Sequence, residues 1–301
     1  MIAVVTGHRG AIGSFVVERL ERDGHVVVGM GRAELQSVVS AIEVFANEAL
    51  RADVVFHFAA DADVRKSFDE PRQCFTNNVD CTLHLLEAIR EMRVFPRVVL
   101  ASTPEVYGHV HPMDRGFRED DPLRPANPYA ASKAASEALV RAYGAAYGIP
   151  YVITRAGSYV NPRRADLALS AFAKQIVDAE RRGGRCLLKH GMLDTVRPWC
   201  DARDIVEAYL LAATAGTDGE TYNMSAPPTA VVRLKDVLDQ LIELSGVPVD
   251  AVLDPSLLRP TDVRYQGIDT SLFRQATGWA PSIPLADSLR WLLDSFRSTE
   301  A

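Results

Sequence analysis

The chain has 301 residues, 48% of them hydrophobic, with a formal net charge of −6 at pH 7. That is enough apolar material for one large domain or two interleaved lobes, and the acidic balance argues against a nucleic-acid partner. No apolar run is long enough to cross a bilayer, and no basic leader precedes the first strand, so no membrane partner and a cytoplasmic location are expected.

The first predicted strand, Ala3–Thr6, runs into Thr6-Gly7-His8-Arg9-Gly10-Ala11-Ile12-Gly13 and then a helix over Ser14–Arg22. A strand–glycine turn–helix unit brings backbone N–H groups and a helix N-terminus up to a pyrophosphate. A Cβ at those glycines would hold off the phosphates or the packed helix. Gly7, Arg9, Gly10, Ala11, Ile12 and Gly13 are therefore candidate dinucleotide-binding residues. The second strand, His25–Met30, ends Val28-Gly29-Met30-Gly31-Arg32. The acid that holds ribose hydroxyls in NAD sites is missing there, and a guanidinium suits a 2′-phosphate, so NADP is favoured over NAD. The alternative is a solvated Arg32 with Glu34 on the ribose.

A helix is predicted over Val38–Leu50, a strand over Asp53–Phe58 and a helix over Phe75–Arg93. The fourth strand, Arg97–Ala101, leads into Ser102-Thr103-Pro104-Glu105-Val106-Tyr107-Gly108. Hydroxyls at the carboxyl end of such a strand lie where ligands bind. Thr103 is placed to steady a proton transfer, Glu105 to act as acid or base, and Ser102 equally well to cap the strand. Tyr129 and Lys133, in Asn127-Pro128-Tyr129-Ala130-Ala131-Ser132-Lys133, stand four apart at the start of a helix running over Ser132–Tyr147. They share a helix face, and an ammonium beside a phenol favours the phenolate, a base suited to an alcohol that gives up hydride. With the strand Tyr151–Thr154, this alternation predicts an α/β fold, a doubly wound parallel sheet.

After Arg155 the rhythm changes. Pro162-Arg163-Arg164 reads as a loop, Leu167–Arg181 and Asp201–Ala213 as helices, Thr221–Met224 as a short strand, and Leu234–Ser245 and Leu285–Phe296 as helices. No repeat or linker marks a boundary, so a second lobe is expected to be interwoven with the first. Cys74, Cys81, Cys186 and Cys200 are scattered without a C-x-x-C and read as reduced thiols. His109 and His111 beside Pro112 are too few for a metal site, and no metal is expected.

The glycine turn, Ser102-Thr103 with Val106-Tyr107-Gly108, Tyr129 with Lys133, His57-Phe58-Ala59-Ala60 and Asn78-Val79-Asp80-Cys81-Thr82 together resemble the extended short-chain dehydrogenase/reductases, the NAD-dependent epimerase/dehydratase family. The resemblance implies a Rossmann lobe over 1–155 plus about 197–225. It implies a smaller C-terminal lobe, over 156–196 plus 226–301, that binds a sugar nucleotide. It extends the cofactor set to Phe58, Ala59, Ala60, Asn78 and Ser102, with Tyr129 and Lys133 shared between cofactor and catalysis. It also implies a homodimer built on the helices Phe75–Arg93 and Ser132–Tyr147, although core burial accounts for the same apolar residues. Pro162-Arg163-Arg164, Leu193–Trp199 and Ala202–Ala208 are similar to GDP-mannose 4,6-dehydratases. Phe172–Asp178 and Arg259-Pro260-Thr261-Asp262-Val263 are similar to GDP-4-keto-6-deoxymannose reductases. On that resemblance Arg197 and Arg259 contact the nucleotide diphosphate and Ser158, standing where the family has Asn, helps fix the substrate. The reading is a dehydratase that oxidises, eliminates water and returns hydride. A reductase, an epimerase and a nucleoside dehydratase of secondary metabolism are the alternatives, and a non-catalytic sensor is disfavoured by Thr103, Tyr129 and Lys133.

Overall fold

The computed structural model describes residues 1–46, 51–109, 115–164 and 167–298. The end of the helix predicted over Val38–Leu50, together with His111 and Pro112, lies outside them. β1 (Ile2–Thr6) leads through the glycine turn into α1 (Gly13–Arg22), β2 (Val26–Met30) and α2 (Val38–Phe45). β3 (Val54–His57) is followed by short helices α3 (Val64–Asp69) and α4 (Pro71–Phe75), a π-helical segment over Thr76–Asp80, and α5 (Cys81–Met92). Then come β4 (Arg97–Ser102), α6 (Pro128–Tyr147) and β5 (Tyr151–Ala156). Beyond them lie β6 (Ser158–Val160), α7 (Ala168–Arg181), β7 (Cys186–His190), β8 (Val196–Asp201), α8 (Ala202–Thr214) and β9 (Thr221–Met224). The chain ends with β10 (Val231–Arg233), α9 (Leu234–Ser245), β11 (Val249–Leu253), α10 (Ser271–Thr277) and α11 (Leu285–Ser298).

Six strands form one parallel sheet in the order β2-β1-β3-β4-β5-β9. Its central strands are apolar on both faces because helices cover both. Val4 and Val5, adjacent in β1, feed opposite cores, as alternation along a strand requires. Val5 packs with Phe56, Val16 and the α8 residues Ile205 and Tyr209. Val4 packs with Val55, Leu100, the α5 residues Leu85 and Ile89, and Val140 of α6. The strand order reverses between β1 and β3, and the carboxyl ends of those two strands flank the crevice where ligands bind in such sheets.

β6, β8 and β10 make a second sheet, and β7 with β11 a third. Helices α7, α9 and α11 cover them with a separate core that includes Phe172, Ile176, Leu188, Leu238, Leu289 and Leu292. The chain crosses into this region after β5 and returns to the large sheet at α8 and β9. The four cysteines are free and buried. Among the described residues no helix is long and apolar enough to cross a membrane, and no three His, Cys, Asp or Glu side chains are grouped to hold a metal.

Candidate active site

The glycine turn folds on itself and against the loop after β3. Gly7 has a φ of +67°, and a Cβ on it would lie 2.9 Å from the Ala59 nitrogen. A Cβ on Gly13 would lie 2.3 Å from the Gly7 carbonyl oxygen. The Gly7 N–H donates to Met30 and the Gly10 N–H to Gly7, both at 2.8 Å. Ile12, at the cap position of α1, gives that helix no side-chain cap, so the first turn keeps amide groups for a ligand. The His8 ring lies against Gly29, where a Cβ would come within 2.6 Å of it. Among the described residues no partner meets the buried His8 Nδ1. A cradle that side chains would fill and an orphaned nitrogen beside it fit a dinucleotide. Glu34 Oε2 accepts the Gly31 N–H at 2.7 Å. Backbone N–H groups, Glu34's own and that of Gly31, hold its carboxyl below the usual range, with the charges of His8 and Arg9 adding to them. Arg9 and Arg32 are exposed.

The opposite wall is held by a chain of hydrogen bonds across four elements. The Ala59 N–H donates to Thr6 Oγ1 at 3.0 Å. Thr6 Oγ1 meets His57 Nδ1 at 2.8 Å, and His57 Nε2 meets Thr82 Oγ1 at 3.0 Å. Thr82 donates its single proton to the Asn78 carbonyl at 2.7 Å. With that proton committed, Thr82 accepts from His57, so the proton sits on Nε2 and Nδ1 accepts from Thr6. Burial, with the nearby Lys133 charge, pushes the His57 imidazole down to about 3.

Asn78, expected to bind the cofactor, spends its amide on the protein instead. It accepts the Asp61 N–H at 2.6 Å and donates to the Asp61 carbonyl at 3.1 Å and to Ser132 Oγ at 2.8 Å. It is 1% exposed and shapes the wall through the loop it holds. The π-helical segment that carries it has no signal in the apolar spacing, which reads Phe75–Arg93 as one helix. Phe58 turns its ring edge-on to Tyr209 at 4.7 Å, leaving Ala59 and Ala60 to line the loop. Ser102 donates to Glu137 Oε1 at 2.6 Å, joining a buried pair in which Arg155 grips Glu137 through Nε at 2.9 Å and Nη2 at 2.7 Å. The Ser102 hydroxyl proton is thus committed to this pair.

The reacting end gathers at the start of α6. Asn127 Oδ1 accepts the Ala130 N–H at 2.7 Å and Pro128 occupies the first helical position, so the first turn is fixed and Tyr129 with it. Burial pushes the Tyr129 phenol up; the Arg164 guanidinium and a hydrogen bond to Thr103 act against that rise. The sequence makes Lys133 the cation at this phenol, but Arg164 exerts the strongest pull. Burial lowers Lys133 to about 8, while Glu137, one turn further along α6, and Cys74 act to raise it. Four-residue spacing puts Tyr129 and Lys133 on one face, and Glu137 is as near to the lysine along the helix as the tyrosine is.

Glu105 is 8% exposed and held by donors from three parts of the chain. Asn127 Nδ2 lies at 3.1 Å, Gln266 Nε2 at 3.2 Å and Arg197 Nη1 at 3.4 Å. Arg197, expected on a diphosphate, here bonds Gln266 Oε1 at 2.7 Å and lies 3.6 Å from Asp262. It therefore faces the reaction pocket. No motif marks Gln266, which arrives from far along the chain. Ser158 opens β6 opposite Trp199, and Arg259 is half-buried beyond β11.

Comparisons with known proteins place this geometry in context. The model of the NAD dependent epimerase/dehydratase family matches residues 3–225. The dTDP-D-glucose 4,6-dehydratase of Homo sapiens is 29% identical over 325 residues, covering 98% of this chain and 89% of that protein. The solved structure of RMD from Pseudomonas aeruginosa complexed with NADPH superposes with a TM-score of 0.89 at 25% identity, covering 99% of both chains. The complex of Thermus thermophilus UDP-glucose 4-epimerase with NAD gives 0.86 at 28% identity, covering 100% of both.

Proposed function

The chain belongs to the NAD-dependent epimerase/dehydratase family, and on that premise we propose that it is an NAD(P)-dependent dehydratase of a sugar nucleotide. The relatives named above act on or bind such molecules by their names, which supports the substrate class. The observation that carries the reaction type is the buried Glu105 carboxylate, two residues after Thr103 and bonded at 3.1 Å to Asn127, which caps the helix whose first turn carries Tyr129. A bound nicotinamide would supply the hydride acceptor for the oxidation and the donor for its return.

Tyr129, as its phenolate, takes the proton of the sugar hydroxyl as that carbon becomes a ketone. The ketone acidifies the neighbouring C–H. Glu105 removes this proton and passes it to the hydroxide leaving the next carbon, so that water departs, and the proton left on Tyr129 balances the hydride that returns across the new double bond. Arg197, Gln266 and Asn127 keep the carboxylate aimed through the cycle. Arg32 stands exposed at the end of β2 while Glu34 is committed to Gly31, an arrangement that supports NADP over NAD. A second copy of the chain docks, in this reading, on the outward faces of α5 and α6, where Tyr147 stays 48% exposed.

The test is mass spectrometry after incubation with GDP-mannose, dTDP-glucose and UDP-glucose and no added cofactor. Loss of one water from one of them is expected. Glu105→Gln slows that loss by roughly a hundredfold or more, the usual contribution of a positioned acid–base group. Turnover left intact by this substitution overturns the elimination role. The exposed Arg32 and the NADPH-bound relative also favour a second reading, a 4-keto sugar reductase. That enzyme would instead add two hydrogens when given NADPH and a 4-keto sugar nucleotide.

A further inference from the structure

Val160 ends β6, and the next four residues cross the mouth of the crevice. Asn161 is 1% exposed, and its amide reaches back to the glycine turn, donating through Nδ2 to the Ala11 carbonyl at 3.1 Å. Its own position is fixed twice. Oδ1 accepts the Arg163 N–H at 2.8 Å, and its carbonyl accepts Ser170 Oγ at 2.8 Å. Arg163 lies on α1. Its guanidinium carbon sits 3.7 Å above the Phe15 ring, Nη1 donates to Ser14 Oγ at 2.7 Å, and Nη2 pairs with Glu18 at 2.7 Å. Stacking and forked hydrogen bonding at once is a property of guanidinium that an ammonium lacks. Arg164 reaches the other wall, where Nη2 donates to the Ala62 carbonyl at 3.4 Å in the loop after β3.

The segment therefore ties both loops that flank the switch point of the sheet. Ala11 belongs to the turn after β1, Ala62 to the loop after β3, and a ligand in that crevice lies between them. We propose that Asn161, Arg163 and Arg164 form a strap that keeps the dinucleotide in place from one turnover to the next, with Asn161 and Arg163 as positioning residues acting through the glycine turn. The inference rests on the NAD(P)-dependent reading of the crevice and deepens it. An enzyme that takes hydride and returns it within one cycle has no need to exchange its nucleotide; a reductase must exchange it every cycle. A strap that slows exchange belongs with the first kind of chemistry.

The experiment measures release and uses no sugar substrate. The full chain is loaded with NADPH, chased with excess NADP, and followed by the loss of protein-sensitised NADPH fluorescence. Wild-type protein releases slowly. Arg163→Ala and Asn161→Ala release about tenfold faster, the factor that one lost charge-assisted or cation–π contact supplies; the melting temperature is little changed for the partly exposed Arg163→Ala and lower for Asn161→Ala, which unpairs buried polar groups. Arg163→Lys, which keeps the pairing with Glu18 but not the stack, falls between. Arg185→Ala is the control. That guanidinium pairs with Asp250 of β11 at 2.7 Å, in the smaller region and with no contact to the strap's partners on α1, and its loss leaves release at the wild-type rate. The strap is refuted if Arg163→Ala and Asn161→Ala release the nucleotide at the wild-type rate. It is equally refuted if Arg185→Ala speeds release as much as they do, since that means general loosening. A failed dehydratase reading shows up separately, as stoichiometric consumption of cofactor, and leaves the release rates standing.

Discussion

Gln266 carries more of the pocket than its anonymity in the sequence suggests. It gives Glu105 a donor with one end and takes one from Arg197 with the other. Gln266→Leu is expected to lower kcat by roughly tenfold, the worth of one hydrogen bond to a charged group, with KM within about twofold. In a Glu105→Gln background the same change costs little more, because the group it steadies is gone. Steady-state kinetics on the four proteins decides this, and equal losses in both backgrounds defeat it. Arg32 makes a different kind of claim. Arg32→Ala weakens NADP binding by roughly tenfold and NAD binding hardly at all; calorimetric titration showing matched losses removes the 2′-phosphate assignment. Thr103, Glu105, Tyr129 and Lys133 were legible because each is defined by short-range spacing at a strand end or a helix start. Gln266 lies 161 residues from Glu105 and Asn161 lies 150 from Ala11, so only the closed fold brings them to work. Arg164 was visible as part of a motif, but its nearness to Tyr129 was not.

Among the elements, the strands of the large sheet announce themselves as apolar runs because both faces are covered. β6 and β10 span three residues each and β11 is exposed over most of its length, so neither length nor alternation separates them from loop. The stretch Phe75–Arg93, where spacing suggests one helix, holds the last residue of α4, a π-helical turn and α5. The turn lets Asn78 reach Asp61 and Ser132, a requirement written in tertiary contacts. The hydrogen-bonded chain from β1 through β3 to α5 has a measurable signature. His57 is neutral in the fold down to about 3, against an ordinary value of 6.5. As pH falls below 6.5 the unfolded chain takes up a proton that the folded chain refuses. Stability is therefore lost across that window, by up to ~1.4 kcal/mol per pH unit. Melting temperature followed through this range should fall less steeply for His57→Gln than for the parent chain. Parallel slopes would mean that another group controls acid stability.

At the scale of the molecule, the chain passes between the large sheet and the smaller sheets more than once. The β5–β6 crossover leaves the large sheet before its last strand is made, and β9 returns to complete the edge only after α7, β7 and β8. The smaller core draws on segments before and after that return, with α11 contributing Leu289 and Leu292 at the very end of the described chain. This weave sets the order of events at the ribosome. A nascent chain with β1 to β5 complete still shows the raw edge of β5 until Thr221–Met224 emerges, and α7 has no α9 or α11 to lie against for several seconds more at ~5–20 residues per second. The sticky intermediate is thus a product of translation order, and it stays unsheltered until α9 and α11 have followed. A premature stop anywhere before α11 would yield a chaperone client in place of a smaller working enzyme.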